Sequence, residues 1–200
     1  MCGITGIIDF NKQSSKEVLL AMTNSLDHRG PDAGGYFFDD ENNVGLGPRR
    51  LSILDLSENA NQPMKSHNNR YVIVYNGEVY NFKNIAKELD IPLGTGSDTE
   101  VLIEAFERWG VEFVTKLNGM FAIAIYDKQT NDLFLFRDRL GIKPLYYHWD
   151  NREFIFGSEL KSIKASGIQL KINKQIIPLF LHLGYIPQNH TIYQNTFKLP

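Results

Sequence analysis

Apolar residues in this chain fall into period-two patterns and short continuous runs. Those runs predict strands at about 3–9 (Gly-Ile-Thr-Gly-Ile-Ile-Asp), 44–47, 71–75, 120–126, 133–137, 144–148 and 153–157. The polar stretch Asp127-Lys128-Gln129-Thr130-Asn131-Asp132 between two of them reads as a hairpin connection, so part of the sheet structure is antiparallel. Helical spacing is rarer. Ser14 and Glu17 form one S-x-x-E capping box, followed by Val18, Leu19, Met22 and Leu26 on one face. Ser97 and Glu100 form a second, followed by Val101, Leu102, Ala105, Phe106 and Trp109 and stopped by Gly110. Two more helices are expected over 81–89 and 174–183. Strand clusters interrupted by amphipathic helices predict an α+β fold, with two sheets face to face and helices outside.

Composition narrows the partners. With 42% hydrophobic and 22% charged residues among 200, the chain has the make-up of one ordinary globular domain with a substantial core. A net charge of -2 and a pI near 6.2 give no electrostatic reason to expect nucleic acid or an anionic membrane surface as a partner. There is no run of ~18–20 apolar residues and no basic-then-apolar leader, so a cytoplasmic location is expected. A single cysteine fits a reducing compartment. The five histidines show no i,i+4 pairing, so no metal and no cofactor are expected in this domain.

That one cysteine is the most telling residue. Cys2 follows Met1 directly and becomes N-terminal once Met1 is removed, the expected fate of a Met before so small a side chain. Thiol and free amine then share one residue. An α-amine titrates near ~7.7–8.0 and a thiol near ~8.5, so the amine can act as base for its own nucleophile. The ordinary reading of a lone cysteine is a small buried hydrophobe. A retained Met1 would block the amine.

Four polar segments accompany it. Asp27-His28-Arg29-Gly30-Pro31-Asp32-Ala33-Gly34-Gly35 is a charged Gly/Pro loop that could equally be a helix C-terminus with His and Arg on the dipole. Arg49-Arg50-Leu51-Ser52-Ile53-Leu54-Asp55 offers guanidinium groups suited to bidentate grip of a carboxylate, although most arginines are merely solvated. Tyr75-Asn76-Gly77-Glu78-Val79-Tyr80-Asn81 contains Asn-Gly, first of all a tight-turn signal, placed where strand 71–75 ends. Functionally, the Asn76 amide and the Gly77 N–H could converge on a developing oxyanion. Gly94-Thr95-Gly96-Ser97-Asp98-Thr99-Glu100 puts Asp98 at a first helical position, where the dipole is expected to keep it ionised, either to stabilise the helix start or to hold a substrate ammonium. Together the pieces describe a site for a free α-amino acid with an acyl group to be attacked.

The segments MCGITGIID, DHRGPDAGG, RRLSILDLS, NQPM, YNGEVYN, GSDTEVL, LNGMFAIAIYD, RDRLGIKPLYY and GSELKSI resemble the class II glutamine amidotransferase domain. This is an N-terminal-nucleophile hydrolase found at the front of glutamine-hydrolysing asparagine synthetases. The resemblance implies an αββα four-layer sandwich of two mostly antiparallel sheets. It implies a glutaminase domain over 1–184 and a linker over 185–200 leading into an ATP- and Mg-dependent synthetase domain of the same polypeptide. It makes Cys2 the nucleophile, and Asn76 and Gly77 the oxyanion hole. Arg50 would hold the carboxylate of L-glutamine, and Asp98 with Glu78 its amino group. Leu51, Ile53 and Leu54 would line the pocket, with His28 and Arg29 organising it from behind. Pro48 departs from the usual His at that point of the family pattern and removes a backbone donor. An amidotransferase with another acceptor, such as a sugar or cell-surface precursor, and a non-catalytic glutamine-binding domain are the alternatives. The oligomeric state is open, a homodimer included.

Overall fold

Gly3–Asp9 form β1, over the residues that alternation predicts, and β1 is the middle of a larger sheet. The computed structural model describes residues 2–52 and 57–200. After β1 come α1 (Lys16–Asn24), β2 (Ala33–Gly34), β3 (Phe37–Asp39), β4 (Val44–Arg50), β5 (Met64–Lys65), β6 (Tyr71–Val79), α2 (Phe82–Leu89) and α3 (Asp98–Trp109). The chain continues with β7 (Gly119–Asp127), β8 (Asp132–Arg137), β9 (Tyr146–Trp149), β10 (Glu153–Gly157), α4 (Leu160–Lys164), α5 (Ile177–Leu183) and β11 (Thr196–Lys198). Short 3-10 turns cover Glu58–Ala60 and Gly110–Lys116.

One sheet has the order β11-β9-β10-β1-β4-β2, with β3 also on β4, and the other β5-β6-β7-β8. Every pairing is antiparallel. The expected hairpin is present, with Asp127 opposite Asp132. The inner faces pack on each other through Ile4, Val44, Leu46 and Phe156 from one sheet and Val72, Val74, Ala122, Ala124 and Tyr126 from the other. Alternate residues of the same strands face outward. Ile73, Tyr75, Ile123 and Ile125 meet α2 and α3 through Ile85, Val101, Leu102, Ile103 and Phe106, while Ile7 and Ile155 meet Met22 of α1 and Ile163 of α4. The result is the expected α+β arrangement of two antiparallel sheets flanked by helices.

Three local readings are corrected. Ser14 does not cap α1. Its N–H and hydroxyl both donate to Asp9 Oδ2, and Ser15 takes the N-cap position. In the second box Ser97 does cap α3, accepting from Thr99 N, but Glu100 reaches past it to the N–H groups of Gly94 and Thr95. Strand 44–47 runs on through Pro48 to Arg50. Pro48 is tolerated there because its C=O accepts from Gly35 N, so its missing donor faces the bend between β2 and β3, where no strand residue pairs with it.

Residues 185–200 return to the body. Thr191 and Thr196 are buried, and β11 adds an edge strand beside β9. The outer helical layer draws much of its cohesion from Phe106, whose ring lies 5.1–6.1 Å from those of Tyr71, Phe113, Phe134 and Phe136. Phe106→Ala is expected to cost ~3–5 kcal/mol in urea unfolding, from lost transfer energy plus the cavity left behind. A loss below ~1 kcal/mol would contradict this packing.

Candidate active site

The period of two that builds the core also aims the functional residues. Ile4 of β1 faces the inter-sheet layer, and so does Cys2, two residues before it. Val72 and Val74 of β6 face the same layer, and Asn76 and Glu78 continue that series; Leu46 of β4 is followed in phase by Pro48 and Arg50. The series converge at one open end of the layer. There a cavity of about 290 Å³ is lined by Cys2, Arg50, Leu51, Asn76, Gly77, Glu78 and Asp98, seven of the expected site residues. The other two, Ile53 and Leu54, lie outside the described residues.

Cys2 is half-buried and held at three points. Leu51 N donates to its Sγ at 3.4 Å, the thiol lies 3.7 Å from Leu51 O, and Arg29 Nε donates to its carbonyl at 3.0 Å. Arg29 is itself fixed by Glu159 Oε1 at 3.0 Å. His28 touches the same carboxylate at 2.9 Å but stands half-exposed behind it, away from the cavity wall. The rest of that loop serves the exit of β4, since Asp27 pairs with Arg49 and Asp32 accepts from Ser52 N. Arg50 is buried rather than solvated, and its Nη1 donates to Asn61 Oδ1 at 2.8 Å and Ser57 O at 3.3 Å.

Asn76-Gly77 is not the tight turn that its dipeptide suggests. Strand β6 runs through it to Val79, with Asn76 opposite Ala122 and Gly77 opposite Phe121. Glycine is needed here for space: a Cβ on Gly77 would stand 2.3 Å from Met120 O and 2.6 Å from the Tyr75 ring. The ladder fixes where its N–H points. Tyr80 N donates to Asn118 O and Lys128 N to Arg70 O, so even-numbered residues of β6 bond to β7. The N–H groups of Tyr75, Gly77 and Val79 therefore point to the other edge, which β5 covers only opposite Val72 and Ile73. Gln62 Oε1 accepts from Tyr75 N at 2.7 Å, and Asp98 Oδ2 accepts from Val79 N at 3.3 Å. The Gly77 N–H between them has no hydrogen-bond partner among the described residues. Neither has Asn76 Nδ2, although Asn76 is 1% exposed. Two adjacent donors are thus left open beside a thiol.

A protein family described as "Glutamine amidotransferase domain" matches residues 1–200. The chain belongs to that family. This amidotransferase domain is 43% identical, over all of its length, to a putative glutamine-hydrolysing asparagine synthetase 2 of Methanocaldococcus jannaschii. It is 38% identical, again over its whole length, to the glutamine-hydrolysing asparagine synthetase 1 of Bacillus subtilis. It spans 42% and 32% of those two proteins, so it is homologous to a part of each. An amidase of Gibberella zeae is 36% identical over 84% of the chain and is covered to 27%. The B. subtilis glutamine phosphoribosylpyrophosphate amidotransferase superposes with a TM-score of 0.70 over 87% of this chain and 48% of its own; at 19% identity, that shows a shared fold.

The amidotransferase cavity contains residues to which the sequence reading gave no place in the site. Gln62, Tyr75, Ser97, Thr99, Met120, Ile142 and Lys143 complete its wall. Among the described residues no cluster of His, Cys, Asp and Glu could hold a metal ion, and no helix is long and apolar enough to cross a membrane.

Asp98 behaves differently from the expectation based on the helix dipole. Burial pushes its carboxyl above the usual range, and hydrogen bonds from Tyr75 Oη (2.8 Å) and Val79 N only partly offset this. Tyr75, buried and facing Asp98, is pushed well above its usual value and stays protonated as the donor. A raised carboxyl pKa means that, between the ordinary and the raised value, the folded chain keeps a proton that the unfolded chain has released. Stability is therefore lost as pH rises through that window. Asp98→Asn, with nothing to ionise and an oxygen for both donors, is expected to melt above the parent at neutral pH. The two should approach each other as pH falls below the carboxylate range. A lower melting temperature at pH 7 would contradict the burial account.

Proposed function

We propose that this domain hydrolyses L-glutamine to glutamate and ammonia through a γ-glutamyl thioester on Cys2. The observation that carries the reading is the pair of unpartnered donors, Asn76 Nδ2 and Gly77 N–H, in the wall that also holds the thiol. On a strand bonded to β7 such donors are preorganised for an oxyanion and need not rearrange as charge develops. Arg50 takes the glutamine carboxylate, and Asp98 with Glu78 takes the ammonium, so the side-chain amide extends toward Cys2. Leu51 lines the pocket.

The chemistry follows from those placements. With Met1 removed, the Cys2 amine accepts the thiol proton, through a water, as sulfur bonds to the amide carbon. The carbonyl oxygen carries the charge toward Asn76 and Gly77. The protonated amine then returns its proton to the leaving nitrogen, ammonia departs, and the C–N bond is replaced by C–S. A water activated by the same amine attacks the thioester, giving glutamate and the free thiol. Arg29 keeps the Cys2 carbonyl, and with it the amine, in register with the thiol.

We infer further that residues 1–184 are the glutaminase unit of a cytoplasmic asparagine synthetase and that 185–200 lead on to its synthetase domain, where ATP and Mg would activate aspartate for the ammonia. The spans of 42% and 32% of the synthetases support this. A second reading keeps the same glutaminase chemistry with an acceptor other than aspartate; one relative, at 36% identity, is called an amidase rather than a synthetase.

Cys2→Ala is expected to abolish glutamate release. Asn76→Ala should lower kcat by ~10²–10³ with a much smaller change in KM, the signature of a donor used in the transition state. Glutamine turnover surviving in Cys2→Ala would overturn the assignment. Tight glutamine binding by a folded parent that releases no glutamate would favour the non-catalytic binding domain instead.

A further inference from the structure

Gln62 lies in no strand or helix, and its contacts are long in sequence: Tyr75, thirteen positions away, and Thr99, thirty-seven away. The residue is 9% exposed, lines the Cys2 cavity and uses both ends of its amide. Oε1 accepts from Tyr75 N at 2.7 Å, and Nε2 donates to Thr99 Oγ1 at 3.3 Å. The first bond lies on the uncovered edge of β6, two residues before the open Gly77 N–H. The second reaches the first turn of α3, one residue after Asp98. One side chain therefore bridges the strand that carries the oxyanion donors and the helix end that carries the ammonium anchor.

We propose that Gln62 is a positioning residue for the oxyanion hole. Standing where a neighbouring strand would otherwise pair, it fixes the edge of β6 so that the Gly77 N–H and the Asn76 amide keep their aim on the thiol. A peptide plane held on one side by β7 and free on the other can tilt. Tyr75 N–H and Val79 N–H bracket the Gly77 group, and only while both are occupied is the plane between them held from both ends. Gln62 need not touch glutamine. It acts through Tyr75 N and through the spacing between β6 and α3. This inference rests on the reading of Asn76 and Gly77 as oxyanion donors.

The test compares two inhibitors of glutamate release by the chain. Glutamate semialdehyde adds to the Cys2 thiol and builds an oxyanion; glutamate fills the same anchors without one. The parent is expected to prefer the aldehyde, and Asn76→Ala to lose most of that preference. Gln62→Met, which keeps the side chain's length but loses both hydrogen bonds, should reduce the preference ~10–100-fold while glutamate inhibition changes little. Gln62→Glu, which keeps the acceptor for Tyr75 N, should recover most of it. If Gln62→Met does not fold, Gln62→Asn, a methylene too short to reach Tyr75 N, takes its place under the same criterion. A full aldehyde preference in Gln62→Met, or an equal weakening of both inhibitors, overturns the role of Gln62 alone. An undiminished preference in Asn76→Ala overturns the oxyanion reading and this inference with it.

Discussion

Past Ile73 the outer edge of β6 has no strand beside it, and the backbone donors that point there must be met by other groups or stay open. Gln62 meets Tyr75 N and Asp98 meets Val79 N, leaving Gly77 N–H open between them. The opposite edge, bonded to β7 from Tyr71 to Val79, holds the peptide planes in a fixed direction. A longer β5 would pair the donor and close the site. A loop in place of β6 would leave the donor without a fixed aim. The strand continues past its neighbour, and the missing Cβ of Gly77 lets Met120 O approach closely enough for the ladder to hold.

The site also depends on joining two sheets. Cys2 enters from β1 of one sheet and the open donors from β6 of the other, so their separation is set by the apolar layer of Ile4, Val72, Val74 and Ala122 between them. Charges fix the remaining freedom from outside that layer. Arg29, anchored on Glu159, holds the Cys2 carbonyl, and Glu100 ties the loop ahead of α3 through Gly94 and Thr95. Burial works against the ionised form of Asp98, the charge proposed to meet a substrate ammonium. A site that keeps an anion buried for a ligand gives up stability in doing so, which is a usual cost of function.

Much of this is legible in the sequence because strands covered on both faces read as short apolar, β-branched runs bounded by Gly, Asn or Asp. Gly3–Asp9 and Glu153–Gly157 match their expected ranges, and the Asp127–Asp132 connection closes the expected hairpin. Cys2, Asn76 and Asp98 were singled out and share one cavity. What was not legible depended on distant pairing. Asn-Gly has strong local turn propensity, but pairing with β7 overrides it. The extension of β4 through Pro48 needs the bend between β2 and β3; Gly34-Gly35 marks a turn there, but nothing local shows that it faces Pro48. Gln62 stands in the NQPM segment, but its role is not legible there, because an irregular segment carries no period and both its partners are far along the chain.

The most direct measurement is the intact mass of the chain lacking Met1, before and after exposure to a diazo-ketone analogue of glutamine. The account predicts a gain of one adduct, absent in Cys2→Ala, because only a thiol set beside open oxyanion donors and both amino-acid anchors would be alkylated selectively by such a reagent. A chain without Met1 that remains unmodified would contradict the central claim that Cys2 is a glutamine-directed nucleophile.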